Sequence, residues 1–399
     1  MKKQIIMTVI LAAVVTGILL VSFSEARVVP YWSLEFSEGS SASSTGSTLL
    51  GADIINDMGV IFKPFNKHTC FILYELKYSG PGFKRLEGRD FSENSMDHML
   101  FAQYQVALSD RYLLRTRLSS MTEFFRSGTN EDWGGGTYDF LRSGVFVEFE
   151  AKGYPTVSIE MATLLFPNYS DLLSEYQQGT GAVPDTGEGS KGDQSVTTIG
   201  TTYRYRKHKV SVKQGINNYI KQTVVQPDGT YGSTKQADNI LTVKYDTLQR
   251  LGSFLFVEPE ISLKTKTSNQ NYMHYEVPGT TDVSKIHYVG NYYAYTQTSV
   301  GCRFDLYLTR SKSFFLKPEI IMKNYADRPA LDAGNQLTNE KQNTTITVMT
   351  VGYSVKWNKV SRWTLLYSNH SQSSNVKYEK YVPYTYTGTY IGMKFAFTY

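Results

Sequence analysis

The chain has 399 residues, with 41 Lys and Arg against 36 Asp and Glu, for a formal net charge of +5. Thirty Tyr and 21 Phe stand beside only 12 Pro and 19% charged residues, a bias towards strand-forming types. The charge is mild and no basic block occurs, which argues against a nucleic-acid partner. A mean hydropathy of −0.31 suits a soluble protein, and equally a membrane barrel whose strands are polar on one face.

At the N-terminus Lys2 and Lys3 form a basic region, and Ile5 to Val21 is uncharged and mostly apolar. Ser24-Glu25-Ala26 then places small residues at −3 and −1. This plan predicts a secretory signal peptide over 1–26, cleaved after Ala26, with 27–399 as the mature domain. A retained N-terminal anchor is the alternative, because the apolar run is long. No Cys adjoins the site, which argues against a lipid anchor. Beyond Ala26 no stretch approaches the roughly 18 apolar residues that a spanning helix needs. The mature chain is therefore a soluble exported protein or a barrel, and outward faces lacking polar residues argue against the first.

Period-two alternation then recurs in runs of about ten or more residues, the length a tilted strand needs to cross a bilayer. Leu114, Thr116, Leu118 and Phe124 oppose Arg115, Arg117, Ser119 and Glu123. Ile199, Thr201, Tyr203 and Tyr205 oppose Gly200, Thr202, Arg204 and Arg206. Over Lys209 to Lys221, Val210, Val212, Ile216 and Ile220 share one face, and Lys209, Lys213 and Tyr219 the other. Leu255, Val257, Ile261 and Leu263 oppose Glu258, Glu260 and Lys264, and Val300, Cys302, Phe304 and Leu306 oppose Arg303 and Asp305. Pro259 and Pro318 follow similar Ser-Phe leads and suggest a repeated hairpin device, such as a bulge.

Connections alternate in kind. Tight turns are expected at Asn66-Lys67, Ser109-Asp110, Lys152-Gly153, Lys207-His208, Arg250 to Gly252, Arg310-Ser311 and Asn358-Lys359. Longer polar segments fall near Gly39 to Thr48, Gly80 to Ser95, Gly128 to Gly136, Tyr169 to Asp193, Gln226 to Gln236, Asn269 to Gly290, Ala326 to Gln342 and Gln372 to Val382. Short periplasmic turns alternating with long external loops define the expected fold: all-β, a single antiparallel transmembrane β-barrel. Counting from the C-terminus gives about sixteen strands if Tyr31 to Phe36 is the first, with fourteen or eighteen as the neighbouring counts.

The chain ends Ile391-Gly392-Met393-Lys394-Phe395-Ala396-Phe397-Thr398-Tyr399, apolar or aromatic at every second position. This resembles the terminal strand of bacterial outer-membrane barrel proteins. The resemblance implies recognition by the barrel assembly machinery through Ile391, Met393, Phe395, Phe397 and Tyr399, with outer-membrane lipids as surroundings. Tyr325 to Ala330, Ser374-Asn375 and Tyr381 to Tyr386 also resemble uncharacterised outer-membrane barrels and the barrels of surface lipoprotein assembly modifiers. The latter carry a periplasmic helical-repeat domain, for which 27–399 leaves no room. General porins resemble the chain in strand number and imply a homo-oligomer. Their long constricting third loop has only the short Gly128 to Gly136 as counterpart.

No cofactor, metal spacing or phosphate loop is found. His68, His98, His208, His274, His287 and His370 read as solvated or interfacial. His370, flanked by Ser368, Asn369 and Ser371, is the one catalytic candidate to name, and no enzyme activity is expected. Asp185 to Asp193 reads as solvated loop rather than a cation site. Cys70 and Cys302 fall on distant strands and read as free, lipid-facing thiols. The inward face would carry Arg115, Arg117, Arg142, Arg204, Arg206, Lys209, Lys213, Lys264, Arg303, Lys317 and Lys323. Glu123, Glu148, Glu150, Glu160, Glu258, Glu260, Asp305 and Glu319 would lie among them. Either these charges line a water-filled pore, or they form ion pairs that stiffen the wall. The expected function is passive diffusion of small polar solutes, with Tyr169 to Asp193 and Asn269 to Gly290 as gates. An export or assembly barrel and a structural or adhesive surface protein are the alternatives.

Overall fold

A computed structural model describes residues 27–44, 48–81, 94–126, 132–136, 138–169, 190–277, 280–379 and 384–399. The expected signal segment, Ala26 included, lies outside them, as do 170–189 of one expected gate.

The strands are β1 (Arg27–Ser43), β2 (Thr48–Phe65), β3 (His68–Ser79), β4 (Asn94–Ala107), β5 (Tyr112–Arg126), β6 (Phe140–Ala151) and β7 (Thr156–Leu165). There follow β8 (Gln194–Tyr205), β9 (His208–Val225), β10 (Tyr231–Thr247), β11 (Gln249–Leu251), β12 (Leu255–Ser268), β13 (Tyr272–Tyr275) and β14 (Ile286–Val289). The last are β15 (Tyr295–Tyr307), β16 (Lys312–Leu331), β17 (Leu337–Lys356), β18 (Ser361–Ser374) and β19 (Tyr386–Thr398). β13 and β14 pair only with each other, and β10 and β11 both pair with β12 as one wall strand interrupted at Leu248. The remaining wall is a closed antiparallel barrel of sixteen strands.

Closure joins the two ends of the chain. β1 pairs with β19 from Ser33↔Thr398 to Ser43↔Gly388, and Trp32 and Tyr399 exchange backbone hydrogen bonds. The Trp32 ring meets Phe397 at 5.0 Å, and Trp363 meets Phe395 at 4.7 Å. Lys394 forms an ion pair with Glu35 across the seam. A closed ladder leaves no edge strand with unpaired backbone, the condition for a sheet in hydrocarbon.

Side chains alternate across the wall, so one exposed apolar residue assigns a face for its whole strand. Val145, Phe149, Val157, Ile159, Met161, Ile199, Ile261, Leu263, Val300, Leu365, Ile391 and Met393 are all exposed. That set can only face lipid, which places the charged set of the same strands inward. Near the short turns the outward face carries Trp32, Tyr104, Tyr112, Tyr203, Trp363 and Tyr399, the aromatic girdle expected at a membrane interface.

Several expected boundaries move. β1 is 17 residues long, not a short run from Tyr31 to Phe36, and it extends to Ser43. The expected loop over Gly39 to Thr48 is therefore mostly strand. β16 and β17 each have 20 residues and absorb most of Ala326 to Gln342, while β10 absorbs Tyr231 to Gln236 of the segment Gln226 to Gln236. Polar composition marks these segments as solvated, but a hairpin standing above the membrane is solvated too. Pro259 and Pro318 form no bulge: Pro259 pairs with Cys302 and Pro318 with Met349 in unbroken register. The register shifts lie elsewhere, as between Tyr231 and Ala237. Cys70 and Cys302 are free.

Candidate functional site

The charged inner wall begins at β5 and β6. Arg115 forms an ion pair with Glu148, reaches Glu150 at 2.9 Å and donates from Nε to Gln105 at 3.1 Å. Arg117 donates to Gln103 and lies between the Phe101 and Phe146 rings, at 5.0 and 5.3 Å. Arg142 pairs with Glu160 of β7. These groups keep about a quarter of their side-chain surface exposed, as at Arg115 (27%), Glu148 (23%) and Arg142 (26%). Charges in a dry core would be shielded far more completely.

On the far wall, Lys244 and Glu260 pair at 2.9 Å, and Arg303 holds Asp305 through Nε at 2.8 Å while its guanidinium covers Phe315 at 4.3 Å. Glu258 stands directly opposite Arg303 in the ladder, and Glu319 lies 3.6 Å from Lys317. Lys264 sits over the Tyr295 ring at 5.8 Å, and Lys323 over the same ring at 4.4 Å.

The β8–β9 hairpin differs. Lys209 pairs with Asp246 at 3.3 Å, but Arg204 and Lys213 are exposed and have no carboxylate partner among the described residues. Arg206 must be corrected. The turn falls at Arg206-Lys207, one residue earlier than expected, and Arg206 has a φ of 54° there. It leaves the wall and its guanidinium lies 5.3 Å from the outward Tyr205 ring. A one-residue shift of turn is enough, because facing has a period of two.

Three features escaped the sequence reading. Glu35, Asp57, Glu75 and Asp97 form an acidic strip across β1 to β4, with Asp57 directly opposite Glu75. Lys266 reaches the fully buried Asp238 at 2.8 Å. A tyrosine-rich cavity also opens near the ends of β9 and β12. The acids alternate with apolar residues on each strand, so the strip was in principle readable. The cavity joins distant segments and had no local signal.

The histidines divide. His68, His98 and His208 sit on the outward face against Tyr104, Tyr74 and Tyr245, and His287 meets Glu276 at 3.0 Å. His274 and His370 are buried, contrary to the solvated reading. His274 contacts the Asn335 carbonyl at 2.7 Å, which ties the β13–β14 hairpin to the β16–β17 turn. Burial holds its imidazole below its ordinary value. His370 Nε2 lies 3.0 Å from Ser368 Oγ, which in turn lies 3.0 Å from Thr350 Oγ1.

A closed sixteen-strand wall, apolar outside and charged inside, is a transmembrane β-barrel of the outer-membrane type. No family model and no curated protein matches the sequence. Solved structures that match include OmpT of Vibrio cholerae, with 10% identity and a TM-score of 0.47 over 95% of this chain and 99% of that one. OccK3 (OpdO) of Pseudomonas aeruginosa matches with 10% identity and a TM-score of 0.47, over 92% and 96% of the two chains. A bacterial polysaccharide outer-membrane secretin has 10% identity and a TM-score of 0.46, over 93% and 98%.

Proposed function

We propose that the chain is a passive outer-membrane channel for small polar solutes, exported through a signal peptide cleaved after Ala26. Its surroundings are outer-membrane lipids, and the barrel assembly machinery reads the last strand. The observation that carries the channel reading is the solvent access of the inner charges. Lys244, Glu260 and Arg303 keep 37%, 41% and 39% of their side-chain surface, although all face inward. About sixteen strands leave room for water, and a wet wall tolerates charge that a dry one would expel. Diffusion needs no bond chemistry, so the proposal includes no enzyme activity. The Ser368–His370 contact is buried in the wall and reads as wall packing.

A second reading is favoured by one feature. On β17 and β18 the inward Gln342, Thr344, Val348, Ser368, His370 and Gln372 are all buried. A lumen filled along that side would suit an export or assembly barrel. Single-channel recording of the refolded protein in a planar bilayer separates the two. Stable openings support the channel, whereas a folded, heat-modifiable barrel that stays silent overturns it.

A further inference from the structure

Three lysines share one row of the inner wall. Lys213 of β9 pairs with Thr242 of β10, and Thr242 with Lys264 of β12. Lys264 pairs with Gln297 of β15, and Gln297 with Lys323 of β16. Residues directly opposite in a ladder share a face, so all five face the lumen. Neighbouring strands lie about 4.8 Å apart, which roots successive lysines about 10 Å from each other. β9 begins at His208, β12 at Leu255 and β16 at Lys312, each just after a short turn. Lys213, Lys264 and Lys323 stand progressively farther from those turns, so the row climbs the lumen.

The acids of these strands are engaged elsewhere. β9 carries none. On β10, Lys266 holds Asp238 at 2.8 Å and Lys209 holds Asp246 at 3.3 Å. On β12, Lys244 holds Glu260 at 2.9 Å and Glu258 faces Arg303. Arg303 also holds Asp305 of β15, and on β16 Glu319 lies beside Lys317 and Asp327 beside Lys341. Lys213 and Lys264 have no carboxylate partner among the described residues. Lys264 and Lys323 lie over the Tyr295 ring at 5.8 and 4.4 Å, and a ring face orients an ammonium without neutralising it. The acidic strip on β1 to β4 is four strands from β9 and three from β16, farther round the wall than the screening length of about 10 Å at 0.1 M salt.

Between the lysines the row carries a hydroxyl and a primary amide, both hydrogen-bond donors. Like charges with no acid between them repel, and an anion held among them relieves that repulsion. Lysine stems are flexible, so neighbouring ammonium groups can turn towards one anion standing over Thr242 or over Gln297. Attraction grows with the charge of the solute, which favours a multivalent oxyanion over a halide. Phosphate and carboxylate oxygens also accept from the hydroxyl and the amide. A neutral solute gains none of the Coulomb attraction, and a cation is repelled.

We infer that this row binds small multivalent oxyanions, phosphates or polycarboxylates, at two adjoining stations that share Lys264. This deepens the channel reading and rests on it for the solute's route. The test is phosphorus NMR line broadening of pyrophosphate, with the full barrel refolded in non-ionic detergent. At about 0.1 M NaCl, pyrophosphate should bind saturably with a Kd on the order of 1 mM. Citrate should displace it, and glucose should not. Lys213→Gln and Lys264→Gln should each weaken binding about fivefold, the loss expected for a divalent oxyanion about 5 Å from one ammonium in screened water. Lys264→Arg keeps the charge and should hold the affinity within about twofold. Lys359→Gln, at a short turn, should leave it unchanged. If one Gln variant fails to refold, Lys323→Gln reads the second station. Equilibrium binding needs no conduction: a silent barrel that binds pyrophosphate overturns only the channel reading, and a conducting barrel that does not bind it overturns only this site. Binding undiminished in the Gln variants, or an equal loss from Lys359→Gln, also overturns the inference.

Discussion

Replacing Arg204 and Lys213 together by Gln removes two inward cations that have no carboxylate partner among the described residues. For an ion about 10 Å away in water, each contributes about 0.4 kcal/mol before screening. At 0.1 M salt the screening length is about 10 Å, which leaves about 0.15 kcal/mol per charge. Two charges then favour an anion by about 0.3 kcal/mol and oppose a cation equally. The double variant should lower the anion-to-cation permeability ratio about threefold. At 0.01 M, with a screening length of about 30 Å, the same reasoning gives about sevenfold. Reversal potentials under a salt gradient in planar bilayers measure both ratios. Arg206→Gln, placed at the turn, should do far less. A ratio unchanged at both salts, or an equal change from Arg206→Gln, would refute the wall assignment.

Other outcomes follow from packing and charge. A Cβ at Gly352 would overlap the Phe315 ring that supports Arg303, so Gly352→Ala should cost about 1–3 kcal/mol. A lower temperature for the loss of heat-modifiable migration would show it. The Glu35–Lys394 pair is about one-third exposed on both sides and closes the seam. Lys394→Ala should therefore cost only about 0.5 kcal/mol, and a double-mutant cycle with Glu35→Ala should recover the coupling. His274 is held neutral by burial, with His287, Glu276 and the Asn335 carbonyl facing it. Its folded value lies below its ordinary 6.5, so the unfolded loop takes up a proton first as pH falls. Docking of the β13–β14 hairpin should be intact above about pH 6.5 and weaken below it, read by limited proteolysis. His274→Gln should abolish that pH dependence, and its persistence would count against His274 as the source.

Period-two alternation made the wall legible because facing is a local property of an extended chain. Arg115, Arg142, Lys213 and Arg303 lie on the charged face that their apolar neighbours define. Turns at Asn66-Lys67, Lys152-Gly153 and Asn358-Lys359 were readable from residue type, and the alternation of turn and loop carried the count to sixteen. Strand ends were not legible. Whether Ser40 or Thr338 continues a ladder depends on Leu50 or Ala330 standing across from it, which is a pairwise fact. Arg206 shows the cost, since one residue of turn position moves a guanidinium off the wall.

The sequence by itself determined the class of molecule: a transmembrane barrel whose strands are apolar on one side and charged on the other. Tertiary structure decided what that charge does. Closure put Glu148 beside Arg115 and Asp246 beside Lys209, and gave Arg204 and Lys213 no such partner among the described residues. It also gathered tyrosines from residues 169 to 293 around one cavity. Ion pairing and enclosure depend on distances between strands remote in sequence, and no local pattern encodes them.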